Sequence, residues 1–176
     1  ALLGVTYDQA ADYCTSVGDC WVANDNGGGQ VVIAGTTSGI ERATSASKEA
    51  GIKRVIPLNV GGAFHTPLMD DAAAALQPLL AQMPWRSTET PVVCNTDAAL
   101  VTDGAEWPAR LATHLVRPVR WHAVISALAS NGVTQLVEVG PGSTLAGLVK
   151  RSGIPLDTRN VATASDAGAL TIGGTE

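Results

Sequence analysis

Apolar positions along this chain switch repeatedly between a period of two and a period near 3.6, as strands alternating with helices require. Residues 1–4 read as a strand. Thr6 can cap a helix reaching Val17, with Tyr7, Ala10, Ala11 and Cys14 on one face. Residues 20–23 and 30–34 read as two strands joined across NDNGGG, residues 24–29, a turn by its asparagines and glycines. Residues 37–50 predict a helix stopped by Gly51, and residues 54–58 a closing strand. The order βαββαβ over the first 60 residues predicts a split βαβ unit of the ferredoxin-like kind.

Downstream, a helix is predicted from Pro67 to Met83 with a bend at Pro78, then a short buried strand over residues 91–95. Residues 105–115 and 121–130 read as helices parted by Pro118. Residues 135–139 form a strand that runs into GPGSTLAG, residues 140–147, and a helix to Arg151. A last strand over residues 161–163 precedes a polar tail. Strands alternating with helices predict an α/β fold with part of a parallel sheet, and two or three strands leave that sheet incomplete.

Between these two parts lies GGAFHTPLM, residues 61–69. Gly61 and Gly62 allow a tight turn, Thr66 suits an N-cap, and Pro67 suits the first helical position, where a missing N–H costs nothing. His65 then sits at the mouth of a helix, whose positive end biases an imidazole toward its neutral, proton-accepting form. That is where a general base belongs. From the residue alone, a histidine on a surface loop is the plainer alternative.

Composition narrows the class. At 176 residues the chain suffices for one ordinary domain or two small ones with a real core. With 45% hydrophobic and 15% charged residues and 19 glycines, it reads as a compact protein rich in alanine and glycine. A net charge of −5 offers no basic face for nucleic acid. No apolar run nears the roughly 18 residues that a membrane span requires, and Ala1-Leu2-Leu3 lacks the charged start of a signal peptide. The three cysteines, Cys14, Cys20 and Cys94, contain no Cys-x-x-Cys pair, so free thiols in a reducing cytoplasm are expected, with no disulfide scaffold and no zinc site. The chain starts without methionine in what reads as a strand, and a fragment is expected.

Other candidates have plain readings beside the functional ones. GPGSTLAG follows a strand and opens a helix, the setting of phosphate-binding turns, but it is neither a Walker loop nor a full dinucleotide fingerprint. Asn24-Asp25-Asn26 could aim amides at a cleft or simply turn the chain. His122 and the tryptophans Trp21, Trp85, Trp107 and Trp121 read as packing residues. Lys53-Arg54, Arg117-Arg120 and Lys150-Arg151 are short basic clusters that default to solvated surface. A search for a nucleophile finds no Gly-x-Ser-x-Gly elbow and no cysteine in an activating sequence.

Six motifs occur in order: NDNGGGQVVIAG (24–35), IKRVIPLNV (52–60), AFHTPLM (63–69), PVVCNTDA (91–98), LVRPVRW (115–121) and VEVGPGSTLAGLVKR (137–151). Together they resemble the C-terminal part of the malonyl-CoA:acyl carrier protein transacylases of bacterial fatty acid synthesis, members of the acyltransferase superfamily. Each motif is weak alone, and six in this order are specific. The resemblance implies a ferredoxin-like βαββαβ subdomain inserted in a large α/β-hydrolase-like, parallel-sheet subdomain. Residues 1–60 would be the small subdomain, 61–164 the C-terminal part of the large one with its N-terminal half missing, and 165–176 a polar tail.

The activity implied is a two-step transfer through a seryl ester, from coenzyme A to the phosphopantetheine thiol of acyl carrier protein. His65 matches the family's catalytic histidine. A main-chain carbonyl steadies that imidazole, and its position here is His114, where the family usually carries glutamine. Asn24 and Asn26 match a pair lining the cleft; three glycines follow where serine-proline-glycine is common. Phe64 matches the bulky residue of malonyl-selective members, and excluding one methyl group is worth roughly 1–3 kcal/mol. The serine, the arginine for the malonyl carboxylate and most of the oxyanion hole would lie in the missing half, so the chain alone is expected to be inactive and to leave sheet edges unpaired. Malonyl-CoA and acyl carrier protein are the expected partners, the latter at Lys53-Arg54 or Arg117-Arg120, with no cofactor, no metal, no nucleic acid and no membrane, in a cytoplasmic monomer. The rival readings are an acyltransferase domain of a polyketide synthase, a non-catalytic ferredoxin-like binding module, and a degenerate relative kept for structure.

Overall fold

The structure, a computed structural model, describes residues 1–169; residues 170–176 of the expected tail lie outside them. β1 (Leu2–Leu3) leads into α1 (Tyr7–Val17). The Thr6 hydroxyl accepts from the Gln9 N–H while the Gln9 side chain accepts from the Thr6 N–H, a capping box that fixes where α1 starts.

β2 (Cys20–Gly27) and β3 (Gln30–Gly35) form a hairpin whose turn is only Gly28 and Gly29. Their φ values, 58° and 76°, are the left-handed pair that a two-residue hairpin needs. The expected six-residue turn is therefore much shorter, and Asn24, Asp25 and Asn26 belong to β2. Pairing with β3 outweighs the local turn preference of these residues, at the expense of register shifts between Val22 and Asn24 and between Asp25 and Gly27. α2 (Thr37–Ala46) stops short of the expected Ala50, and β4 (Arg54–Val55) keeps only two residues of its expected strand.

These strands form one antiparallel sheet in the order β2-β3-β1-β4. β3 lies between β1 and β2, which α1 joins, so the βαβ is split. The helices pack over a core of Leu2, Ala10, Tyr13, Cys14, Val31 and Ala43, and the Tyr13 hydroxyl donates to the Ala43 carbonyl. Close packing leaves no room for a Cβ at Gly35 or Gly39, where one would lie 2.3 Å from the Asp19 carbonyl oxygen.

The expected single helix after His65 is a 3₁₀ turn (Pro67–Met69) followed by α3 (Asp70–Ala81), which tolerates Pro78 within it. β5 (Val92–Val93) pairs antiparallel with β6 (Leu100–Val101) in a small ribbon of its own, where a strand of a parallel sheet was expected. α4 (Trp107–Val116) and α5 (Trp121–Ser130) follow on either side of Pro118. β7 (Gln135–Val139), α6 (Thr144–Ser152) and β8 (Asp157–Val161) make a parallel βαβ pair, Gln135 opposite Asp157 through Val139 opposite Val161. α7 (Ala164–Gly168), capped by Thr163 and Asp166, occupies the start of the expected tail. Among the described residues no helix is long and apolar enough to cross a membrane.

Candidate active site

His65 adopts φ 63°, a left-handed conformation that histidine visits more readily than most side chains. Two hydrogen bonds hold it there. Its backbone N–H donates to the Leu115 carbonyl at 3.0 Å, and its ring Nδ1 lies 2.8 Å from the His114 carbonyl oxygen. Both carbonyls belong to the last turn of α4, where C=O groups have no partner within the helix. A carbonyl oxygen can only accept, so Nδ1 carries a hydrogen, and in the neutral tautomer this bond selects, the lone pair is on Nε2. The ring is thus oriented by a carbonyl at the carboxyl end of α4, and the segment that follows it starts as a 3₁₀ turn before continuing into α3.

Thr66 departs from its expected role. Its side chain makes no capping bond; it is fully buried, and its hydroxyl donates back to the Ala63 carbonyl at 2.6 Å. That bond closes the loop on the side opposite the helix and fixes the residues flanking His65.

A cavity of about 780 Å³ opens in front of this loop. Asn24 and Asn26 line it from β2, Ile33 and Ile40 supply apolar wall, and Phe64 and His65 close one side. The two asparagines sit two residues apart on a strand and so share a face. Asp25 between them is buried, accepting from the Gly27 N–H at 3.2 Å. The strand is pinned to the chain ahead of α5: the Asp25 N–H donates to Val119 and the Val119 N–H donates to Ala23, each at 2.8 Å. Val119 and Thr66 carry no sequence signal that marks this work.

Four of the five predicted site residues, Asn24, Asn26, Phe64 and His65, meet at this cavity. His114 stands behind it, with its ring against that of His65. Burial pushes the His114 imidazole below its ordinary value, and the neighbouring His65 adds to the shift. Glu41 also lines the cavity, a charge that the sequence reading passed over.

The other candidates find structural work. The Glu138 carboxylate accepts from the N–H groups of Leu145 at 3.0 Å and Ala146 at 2.9 Å. The anion position at the start of α6 is therefore filled by the chain's own side chain, and GPGSTLAG is a structural turn. The Arg120 guanidinium lies 4.1 Å from the centre of the Tyr7 ring, a cation–π contact, which removes half of the Arg117-Arg120 cluster from the free surface. Lys53 and Arg54 are exposed. Burial pushes the Cys14 and Cys20 thiols up, away from reactive thiolate. Among the described residues no group of three or more histidine, cysteine or carboxylate side chains could hold a metal ion.

Comparison with known proteins matches the chain's mixed α/β fold to that of solved acyl-group transferases. No family model matches the chain. The malonyl CoA-acyl carrier protein transacylase of Bacillus subtilis (strain 168) is 40% identical over 155 residues, covering 86% of this chain and 49% of the relative. The structure of an acyl carrier protein S-malonyltransferase from Vibrio cholerae superposes with a TM-score of 0.91 at 34% identity, covering 97% of this chain and 57% of that one. A malonyl-transacylase solved in complex with its type II PKS acyl-carrier protein gives 0.89 at 36% identity, covering 96% and 56%. The chain belongs to the malonyl-CoA:acyl carrier protein transacylase family, and it spans about half the length of the curated relatives it matches.

Proposed function

We propose that this chain carries the base and part of the acyl pocket of an enzyme that moves malonyl from coenzyme A to the phosphopantetheine thiol of acyl carrier protein, for fatty acid biosynthesis in the cytoplasm. The observation that carries the reading is the His65 ring: it lines the cavity while its Nδ1–H is held by the His114 carbonyl, leaving Nε2 as proton acceptor.

In the first step a serine hydroxyl gives its proton to His65 Nε2 and attacks the malonyl thioester carbonyl. The C–S bond breaks, and the proton passes from His65 to the departing coenzyme A thiolate. In the second step the carrier thiol gives its proton to His65, attacks the seryl ester, and the serine takes the proton back. No cofactor or metal takes part. The Nδ1 hydrogen bond persists through both protonation states of the ring, so the base need not reorient between steps. Asn24 and Asn26 line the acyl pocket, and Phe64 crowds an α-methyl branch.

In this reading the sheet β2-β3-β1-β4 is the ferredoxin-like subdomain, set into an α/β-hydrolase-like subdomain to which β7 and β8 belong. The serine, the carboxylate-binding arginine and most of the oxyanion hole belong to the half of the family's length that the chain does not match, so the isolated chain transfers nothing. A burst of coenzyme A thiol release from malonyl-CoA by the purified chain overturns that statement. The test of the base uses the intact parent enzyme: His65→Ala is expected to slow malonyl loading roughly 10²–10⁴-fold, and an unchanged rate defeats the proposal.

A second reading keeps the chemistry and changes the carrier. The neighbour solved with a type II PKS carrier protein favours it. The ratio of kcat/KM for fatty-acid and polyketide carrier proteins separates the two.

A further inference from the structure

One segment between α4 and α5, residues 114–120, hydrogen-bonds to both sides of the cavity. Pro118 disfavours helix at the residue before it, and Arg117 is accordingly extended (φ −122°, ψ 150°), which ends α4 and sends the chain along the sheet. At its start the segment holds the base, because the His114 and Leu115 carbonyls accept from the His65 ring and backbone N–H. Further on, Val119 lies parallel to Asn24; its N–H donates to the Ala23 carbonyl and its carbonyl accepts from the Asp25 N–H, each at 2.8 Å. The strand it joins is β2, the edge strand that carries Asn24 and Asn26. At its end, Arg120 donates its backbone N–H to the Asn95 carbonyl at 2.7 Å and sets its guanidinium over the Tyr7 ring of α1. The covalent route between the same two sides is slack by comparison. Residues 57–62 are exposed, include Gly61 and Gly62, and among the described residues make one hydrogen bond, from the Val60 N–H to the Leu58 carbonyl.

We propose that residues 114–120 act as a brace that sets the distance from His65 to Asn24 and Asn26, with Pro118, Val119 and Arg120 as positioning residues for malonyl transfer. The inference rests on the reading of His65 as the base. In that reading the acyl group lies between His65 and the asparagines, where a misplacement of about 1 Å can cost on the order of 10²-fold in rate. None of the three positioning residues lines this cavity, so each acts through the backbone it holds. Two independent contacts would let the base and the asparagine strand loosen separately. A brace makes them loosen together.

The first test needs no substrate. Three amides report on the brace: His65 N–H on Leu115, Asp25 N–H on Val119, and Val119 N–H on Ala23. Pro118→Gly frees the backbone between them and should speed hydrogen exchange of all three in the full chain about tenfold or more. The Gly4 amide, bonded to Gly29 in the same sheet, serves as the control and should not change. Acceleration confined to His65 or to the β2 pair, or shared equally by Gly4, would overturn the proposal. The second test uses the intact parent enzyme and follows malonyl loading from malonyl-CoA, a half-reaction without the carrier protein, so carrier docking does not enter. Pro118→Gly and Arg120→Met are each expected to lower the loading rate at saturation about tenfold, while the malonyl-CoA concentration for half that rate changes less than about threefold. Arg120→Met keeps an unbranched apolar stem, so it stays readable where Pro118→Gly does not fold. Arg120→Lys keeps a cation for Tyr7 and should recover most of the loss. An unchanged saturating rate in either folded variant, a loss that lies in half-saturation alone, or no rescue by Arg120→Lys defeats the brace. His65→Ala in parallel separates the two readings. Loading unchanged by His65→Ala sinks the base assignment; slow loading there beside full-rate brace variants sinks the brace alone.

Discussion

The imidazole rings of His65 and His114 lie with centroids 4.9 Å apart and planes tilted by 35°. Two rings this close cannot both become cations cheaply, and His114 is also partly buried, so its imidazole is held below the ordinary value by burial first and by His65 second. A histidine depressed in the folded state binds its proton more readily once unfolded. Its contribution to stability is therefore full above the unfolded value, near 6.5, and is lost as pH falls through the window beneath it.

His114→Gln should remove that loss. Urea midpoints of the chain at about pH 7.5 and about pH 5.5 are expected to differ less for the variant than for the parent sequence. Equal differences would show that the ring at 114 does not carry the acid sensitivity.

The loop that presents His65 depends on a hydroxyl. Thr66 is fully buried and donates to the Ala63 carbonyl at 2.6 Å. Thr66→Val keeps the shape and deletes the donor, so an unsatisfied carbonyl is left in a tight turn, at roughly 1–3 kcal/mol. Thr66→Ser keeps the donor and should recover much of that loss; the comparison is read from urea unfolding of both variants.

What was legible in the sequence was mostly local. α1 follows from Thr6 and Gln9 three residues apart and the apolar spacing behind them, and α5 and β7 likewise carry their periods within their own residues. The hairpin turn was read too long because asparagine and glycine advertise turns, whereas the pairing that holds Asn24 and Asn26 in β2 comes from β3 and from Val119, far along the chain. β6 is two residues long and shows no alternation to find. The contact between His65 and the His114 carbonyl spans 49 residues and could be expected only through family resemblance, and the contact between the two rings could not be expected at all.

Glu138 offers a charge test of the turn after β7. Its two carboxylate oxygens each accept one N–H at the start of α6, where a negative charge also meets the helix dipole favourably. Glu138→Gln keeps the size but loses the charge and one acceptor, and is expected to cost roughly 0.5–2 kcal/mol. Phosphate should not rescue the parent sequence, whose anion position is already filled, and thermal melts with and without phosphate check this. A phosphate-dependent gain in the parent would reopen the turn as a ligand site.

Gly27 ends β2 next to Asn26 and touches α5 through His122. A Cβ at Gly27 would lie 2.7 Å from His122 Nδ1, and φ at this glycine is 74°. Gly27→Ala therefore carries two separable costs. The left-handed backbone costs a non-glycine residue roughly 1 kcal/mol whatever surrounds it. The collision with the imidazole adds roughly another 1–3 kcal/mol, unless the ring swings aside. In a His122→Ala background the collision disappears and only the backbone cost remains, so the double variant should be more stable than the sum of the single changes predicts, by about 1 kcal/mol or more. Gly28→Ala makes the contrast, because there the Cβ would lie 2.5 Å from the Arg151 carbonyl oxygen, a backbone atom that cannot rotate away. No side-chain deletion should rescue it. Urea unfolding of Gly27→Ala, His122→Ala, their combination and Gly28→Ala decides the matter: strict additivity at 27 and 122 would mean that the ring, and with it the packing of α5 on β2, does not hold Gly27 in place.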